Sequence, residues 1–153
     1  MSDAAPRTWA DVERAFATVP RPELAAIAAK AARSALPAVA ALEAVYGPEA
    51  REWASACATT VATVDGFADG LPVSRFRLAV AAETARCAAA ATADAARRVG
   101  PSPLVEAAEL AYAAVAFAAD ACRAESPVRA AGLAMQACRA AAGGGPVPAD
   151  LPG

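Results

Sequence analysis

Alanine fills 51 of the 153 positions, and the 12 prolines fall mostly between the alanine-rich stretches. This pairing constrains the fold more than any other feature. Alanine loses no side-chain entropy in a helix and is the best helix former, whereas proline in a helix interior costs about 3 kcal/mol. A chain written this way reads as helices punctuated by proline. No run of β-branched and aromatic residues alternates over four or more positions, so no strand competes. The expected fold is an all-α bundle of six to seven helices. A single helical domain is expected over 1–142, followed by a flexible Gly/Pro-rich tail over 143–153.

The boundaries follow from caps and breakers. Thr8, with Asp11 three residues on, forms a capping box that opens a helix from Trp9 to Thr18. Pro22 sits in the first turn of a second helix, Glu23 to Ala35. Pro37 either kinks a continuous helix or starts a third, Ala38 to Tyr46, expected to bury Val39, Leu42, Val45 and Tyr46. Gly47-Pro48 stops it, and a fourth helix runs from Glu49 to about Asp65 with Trp53, Cys57, Val61 and Val64 inward. Ser74 caps a fifth, Arg75 to Arg98, whose inward stripe is expected to be Phe76, Val80, Thr84, Cys87 and Ala91. Ser102-Pro103 opens a sixth, reaching Arg123 or Ala124, with Leu104, Ala108, Tyr112, Val115, Ala119 and Cys122 inward; Phe117 lies off that stripe and is assigned to a second neighbour, with a partner-facing position as the alternative. Ser126-Pro127 opens a seventh, Val128 to Ala142, burying Ala131, Met135 and Cys138. The short Gly100-Pro101-Ser102 connection makes the fifth and sixth helices an antiparallel pair, expected at the centre of the bundle.

Composition narrows the chemistry. There is no histidine, no asparagine and one lysine, Lys30. No Ser–His–Asp triad, Cys–His dyad or histidine-ligated metal site can be built within this chain, and Lys30 follows no glycine-rich phosphate loop. Formal net charge is −2, too small an imbalance to predict nucleic acid or an anionic membrane as partner. The longest uncharged run, Trp53 to Val64, has 12 residues against the roughly 20 that span a bilayer. The N-terminal residues carry no apolar leader, so the expectation is a cytoplasmic protein with four reduced cysteines. Cys57, Cys87, Cys122 and Cys138 lie on four different helices with no Cys-x-x-Cys pair; they read as small buried hydrophobes, with a four-thiolate metal site as the alternative. Glu106 and Glu109 read as solvated acids near a helix N-terminus, with a catalytic acid pair as the alternative. Asp94–Arg98, Glu83–Arg86 and Asp120–Arg123 have the spacing of surface ion pairs. No serine sits in Gly-x-Ser-x-Gly. No catalytic residue, metal site or cofactor is predicted.

The least generic stretch joins the fourth and fifth helices, Val64 to Arg77. Two aspartates, two glycines and two arginines crowd a loop with two phenylalanines. Asp65, Phe67, Asp69, Arg75 and Arg77 are the candidate partner-binding residues, because arginine and aromatic residues dominate interface hot spots and loops on rigid scaffolds carry binding. Phe76 is assigned to the core, and the alternative for the two aspartates is an internal pairing with Arg75 and Arg77.

Three stretches carry a resemblance: Lys30-Ala-Ala-Arg-Ser-Ala-Leu-Pro37, Arg51-Glu-Trp-Ala-Ser-Ala-Cys57, and Phe67-Ala-Asp-Gly70, followed by alanine-rich helices. Over roughly residues 25–124 the chain resembles the alanine-rich all-helical immunity proteins of bacterial polymorphic toxin systems. It is also similar to alanine-rich helical paralogues of GC-rich bacteria. Those immunity proteins carry histidines in their helices and this chain has none, so no contact residue is carried over. The resemblance implies a small helical protein that binds another protein, a toxin or a defence or signalling component. The functional expectation is therefore a non-catalytic protein-binding module, with a homo-oligomer left open. The alternative is a small thiol- or carboxylate-dependent enzyme or metal-binding protein.

Overall fold

The structure, a computed structural model, describes residues 5–100 and 102–152. Helices make up the regular structure in that span: α1 (Trp9–Phe16), α2 (Arg21–Ala40), α3 (Glu43–Tyr46), α4 (Pro48–Ala68), α5 (Arg75–Val99), α6 (Pro103–Arg123) and α7 (Pro127–Ala141). The chain is an all-α bundle, and α3 is a single turn.

The caps sit where the small hydroxyl residues place them. Thr8 Oγ1 accepts from the Asp11 amide at 3.2 Å while Asp11 Oδ2 accepts from the Thr8 amide at 2.8 Å, closing the capping box. Ser74 and Ser126 each accept from the third amide of their helices at 3.1 Å, and Ser102 accepts from the Leu104 amide at 3.3 Å. Gly47 and Gly100 end their turns at φ 68° and 95°, a region that favours glycine.

Pro37 lies inside α2, which continues to Ala40, so there is no separate helix from Ala38 to Tyr46. Val39 and Leu42 are buried just past the proline and hold the chain on the core despite the lost hydrogen bond. Val45 and Tyr46, expected inside, are exposed and half-buried, because one turn at α3 presents only one face to the bundle. By composition Arg21–Tyr46 holds an 18-residue stretch apolar enough to cross a membrane, with mean hydropathy 1.3. Here α2 instead packs on α4, α6 and α7.

The central helix is α6. It packs against α2, α4, α5 and α7, and eleven of its residues are buried, most of them alanine. It runs antiparallel to α5: Arg86 of α5 meets Asp120 of α6 at 2.6 Å, and Arg75 reaches the Arg123 carbonyl at 3.2 Å. The expected central pair is thus half right in its geometry. α5 is peripheral, packed chiefly on α4 and α6, and its outward face has no helix over it.

That position rotates α5 away from the expected stripe. Leu78, Ala82, Ala85, Ala88 and Thr92 are the inward residues, while Phe76, Val80 and Cys87 are exposed and Thr84 and Ala91 half-buried. Ala82, Ala85 and Ala88 are buried on the inward face of α5, which packs on α6 and α4, and helices with small faces can approach closely. Leu104 is likewise exposed at the start of α6, and Phe117 is half-buried in the furrow between α5 and α6.

The stretch expected to be a loose tail makes defined contacts. Trp9 Nε1 donates to Gly145 O at 2.9 Å, Arg7 Nη1 donates to Leu151 O at 2.7 Å, and Val147 and Leu151 pack against the core.

Candidate functional site

The five corner residues nominated by the sequence do not converge. Asp65, near the end of α4, is half-buried and ion-paired with Arg33 of α2. Phe67 is half-buried and packs against the core. Asp69 is the exposed C-cap residue of α4. Arg75 turns to the α6–α7 connection, 2.9 Å from Glu125. Arg77 lies beside Phe76 and Val80, facing Thr59 and Thr63 of α4. The internal alternative does not form either, since Asp65 and Arg75 pair with Arg33 and Glu125 and not with each other.

A second arrangement emerges from the rotation of α5. Antiparallel α4 and α5, held by the buried Thr60 hydroxyl donating to the Ala81 carbonyl at 3.0 Å, leave a furrow on the outer side. One stretch of it, about 490 Å3, is bounded by Trp53 and Ala56 on α4 and by Val80, Thr84, Cys87 and Ala91 on α5. The other stretch, about 240 Å3, lies between Thr59 and Thr63 on one side and Phe76 and Arg77 on the other. Val80 and Thr84 border both, so the furrow is continuous. Its floor is apolar. Phe76 stands 76% exposed at one end, and Val80 is 48% exposed at the middle.

The furrow also carries opposite charge at its two ends. Glu52 and Glu83 rim the Trp53 end, and Arg77 rims the Phe76 end. Glu83 shares a loose pair with Arg86 at 3.3 Å, whereas Arg77 and Glu52 have no ion-pair partner among the described residues. The sequence pattern assigns Trp53, Phe76, Val80, Cys87 and Ala91 of this surface to the core. The signal that separates the two readings is Leu78, two residues beyond Phe76, which starts a competing stripe of smaller residues.

The thiols divide three to one. Burial pushes Cys57 and Cys122 up to about 12 and Cys138 up to about 11, where the nearby Asp150 adds to the shift. These three are the buried hydrophobes the sequence suggested. Cys87 is exposed, contrary to that expectation, because it lies on the outward face of α5. No group of three His, Cys, Asp or Glu side chains able to hold a metal gathers among the described residues. Glu106 and Glu109 are both exposed. Of the ion pairs read from spacing, Glu83–Arg86 and Asp120–Arg123 form at 3.3 and 2.8 Å, while Asp94 takes Arg97 at 3.0 Å in place of Arg98.

A separate cavity of about 330 Å3 lies where the tail crosses α2 and α7. Ile27, Ala31 and Cys138 form its floor, and Lys30 and Asp150 face each other at 3.5 Å over its rim. Comparison with protein-family models, with curated proteins and with solved structures finds nothing that matches this chain.

Proposed function

We propose that the chain is a non-catalytic helical protein-binding module and that its docking surface is the outward furrow of α4 and α5. The observation that carries this is the exposure of Phe76 and Val80 on a helix whose opposite face is fully buried. Burying a large apolar side chain stabilises by about 1.5–3 kcal/mol, and a chain with so few of them leaves a phenylalanine and a valine in water on one continuous apolar surface. An amphipathic helix laid into a furrow between two helices is a recurring mode of peptide recognition. The thiol-enzyme alternative has less support, since three of the four thiols are buried and held protonated at neutral pH. The finer reading, an immunity-type inhibitor or an adaptor in a bacterial conflict or defence system, rests on the resemblance carried by Lys30–Pro37, Arg51–Cys57 and Phe67–Gly70.

The test uses purified full-length chain, immobilised, and the purified products of the genes beside its own. One of them is expected to be retained by the wild type and by Val128→Asp, which alters an exposed valine on α7. The same product is expected to be retained at least about tenfold less by Phe76→Asp and by Val80→Asp. Retention unchanged by both furrow substitutions removes the furrow as the docking surface, and retention of none of these products overturns the inhibitor and adaptor readings.

A further inference from the structure

We infer that the furrow pairs with the same furrow of a second copy, α5 crossing α5 antiparallel with Val80 on the two-fold axis. The inference rests on the docking reading above and names an occupant for that surface. Three features carry it. The first is charge. The furrow is basic at the Arg77 end and acidic at the Glu52 and Glu83 end. A two-fold axis turns one end onto the other, so the surface is complementary to itself. With Val80 on the axis, Arg77 of each copy lies opposite Glu83 of the other, about 4.5 Å along the helix from the axis. The two pairs are identical by symmetry.

The second feature is shape. Phe76 is the knob at one end of the furrow, and the wider stretch beside Trp53 is the hollow at the other. The crossing that matches the charges also sets Phe76 opposite Thr84 of the second copy, on the border of that hollow. Knob and hollow are about 12 Å apart on one helix, and both are used twice. The third feature is the period. Within Arg75–Ala85, the stretch of α5 that the two copies share in this register, Arg77, Val80 and Thr84 are spaced three and four, the spacing of a helix seam, and the small Thr84 permits close approach. The pairing covers Phe76 until a docking partner displaces the second copy.

Sedimentation equilibrium of the full chain from roughly micromolar to roughly millimolar concentration tests this. The wild type is expected to shift from monomer to dimer. Arg77→Glu and Glu83→Arg, each checked for unchanged helicity and melting, are expected to weaken the dimer at least about tenfold through like-charge contacts, and the double exchange to restore it. A register test needs no charge change. In a Cys87→Ser background, Val80→Cys is expected to crosslink two copies under mild oxidation. The wild-type chain is not, because its two Cys87 thiols would lie about 21 Å apart along the helices. A monomer throughout the range, a dimer indifferent to both charge reversals, or ready crosslinking through wild-type Cys87 overturns the pairing. A wild-type monomer that still loses a retained neighbour product on Phe76→Asp would sink the self-pairing alone. A charge-sensitive dimer that retains no neighbour product would sink the inhibitor or adaptor reading alone.

Discussion

Phe76 and Leu78 stand two residues apart on α5 and face opposite ways: Leu78 has no exposed surface, and Phe76 keeps 76% of its own. Residues two apart on a helix are about 200° apart around it, so no rotation buries both against one neighbour. The pair therefore gives a direct measurement of which face of α5 is core. Leu78→Ala is expected to destabilise by about 2–5 kcal/mol, the cost of a large cavity between close-packed helices. Phe76→Ser is expected to change stability by less than about 0.5 kcal/mol in dilute monomer, where its ring is already in water. Urea unfolding at low protein concentration reads both. A larger loss for Phe76→Ser than for Leu78→Ala would mean that α5 is turned the other way.

The segment after α7 is held at two points far apart in sequence, Gly145 by the Trp9 indole and Leu151 by the Arg7 guanidinium. Trp9→Phe keeps the aromatic body and removes the donor, so it is expected to cost about 1 kcal/mol. The same substitution is expected to speed cleavage within 143–152 by a protease of broad specificity, since the segment has no helical hydrogen bonding of its own. Mass spectrometry of the first cleavage products measures this. Cleavage of the wild type as fast as the variant would show that the indole contact does not hold the segment.

The thiols predict both a labelling pattern and an alkaline limit. A chromophoric thiol reagent at neutral pH is expected to react quickly with Cys87 alone in the native protein and with four thiols in denaturant. The raised thiols also set the sign of the pH dependence. An unfolded cysteine loses its proton near 9.0, whereas Cys57 and Cys122 hold theirs to about 12 and Cys138 to about 11. Between these limits the folded chain binds more protons than the unfolded one, so stability falls as pH rises. The contribution is fully present below pH 9.0 and is lost as the pH climbs through 11 toward 12. Urea midpoints at stepped alkaline pH should decline over that window, and Cys57→Ala should flatten the decline. An unchanged midpoint from pH 9 to 11 would show that the thiols ionise freely in the folded state.

The helical architecture was legible because its signals are local. Thr8, Ser74, Ser102 and Ser126 accept from amides two or three residues away, and the prolines that follow two of those serines fix a first turn wherever they occur. The orientation of α5 was not legible, because a helix rich in alanine carries two stripes of equal period. The one that wins, Leu78 to Thr92, is the face packed on α4 and α6, a tertiary placement that the period of α5 alone does not encode. The corner residues illustrate the same limit. Asp65 and Arg75 are close along the chain, but their partners Arg33 and Glu125 lie on elements whose placement no local pattern encodes. The furrow was hidden for a simpler reason: Phe76 is the largest apolar residue on α5, and size alone assigns it to the inside.

Pro37 sets the last test, because the helix runs through it. α2 continues for three residues past the proline, and Ala41 donates back to the Pro37 carbonyl at 3.0 Å. The ring removes the amide that would donate to Arg33 and crowds that carbonyl, a defect costing about 3 kcal/mol in a regular helix interior. Pro37 is exposed, so replacing it removes no core contact. Pro37→Ala restores the amide at a position whose neighbours are already helical. Against this, proline restricts the unfolded chain, and its loss returns about 0.4–1 kcal/mol of entropy to that state. The larger effect wins, and Pro37→Ala is expected to stabilise by about 1–2 kcal/mol. Val39 and Leu42, just beyond it, are fully buried and fix the helix end against the core, so the gain should appear without a change in the urea slope. A loss of stability in Pro37→Ala would mean that the proline is what seats Val39 and Leu42, and that the bundle is built around it.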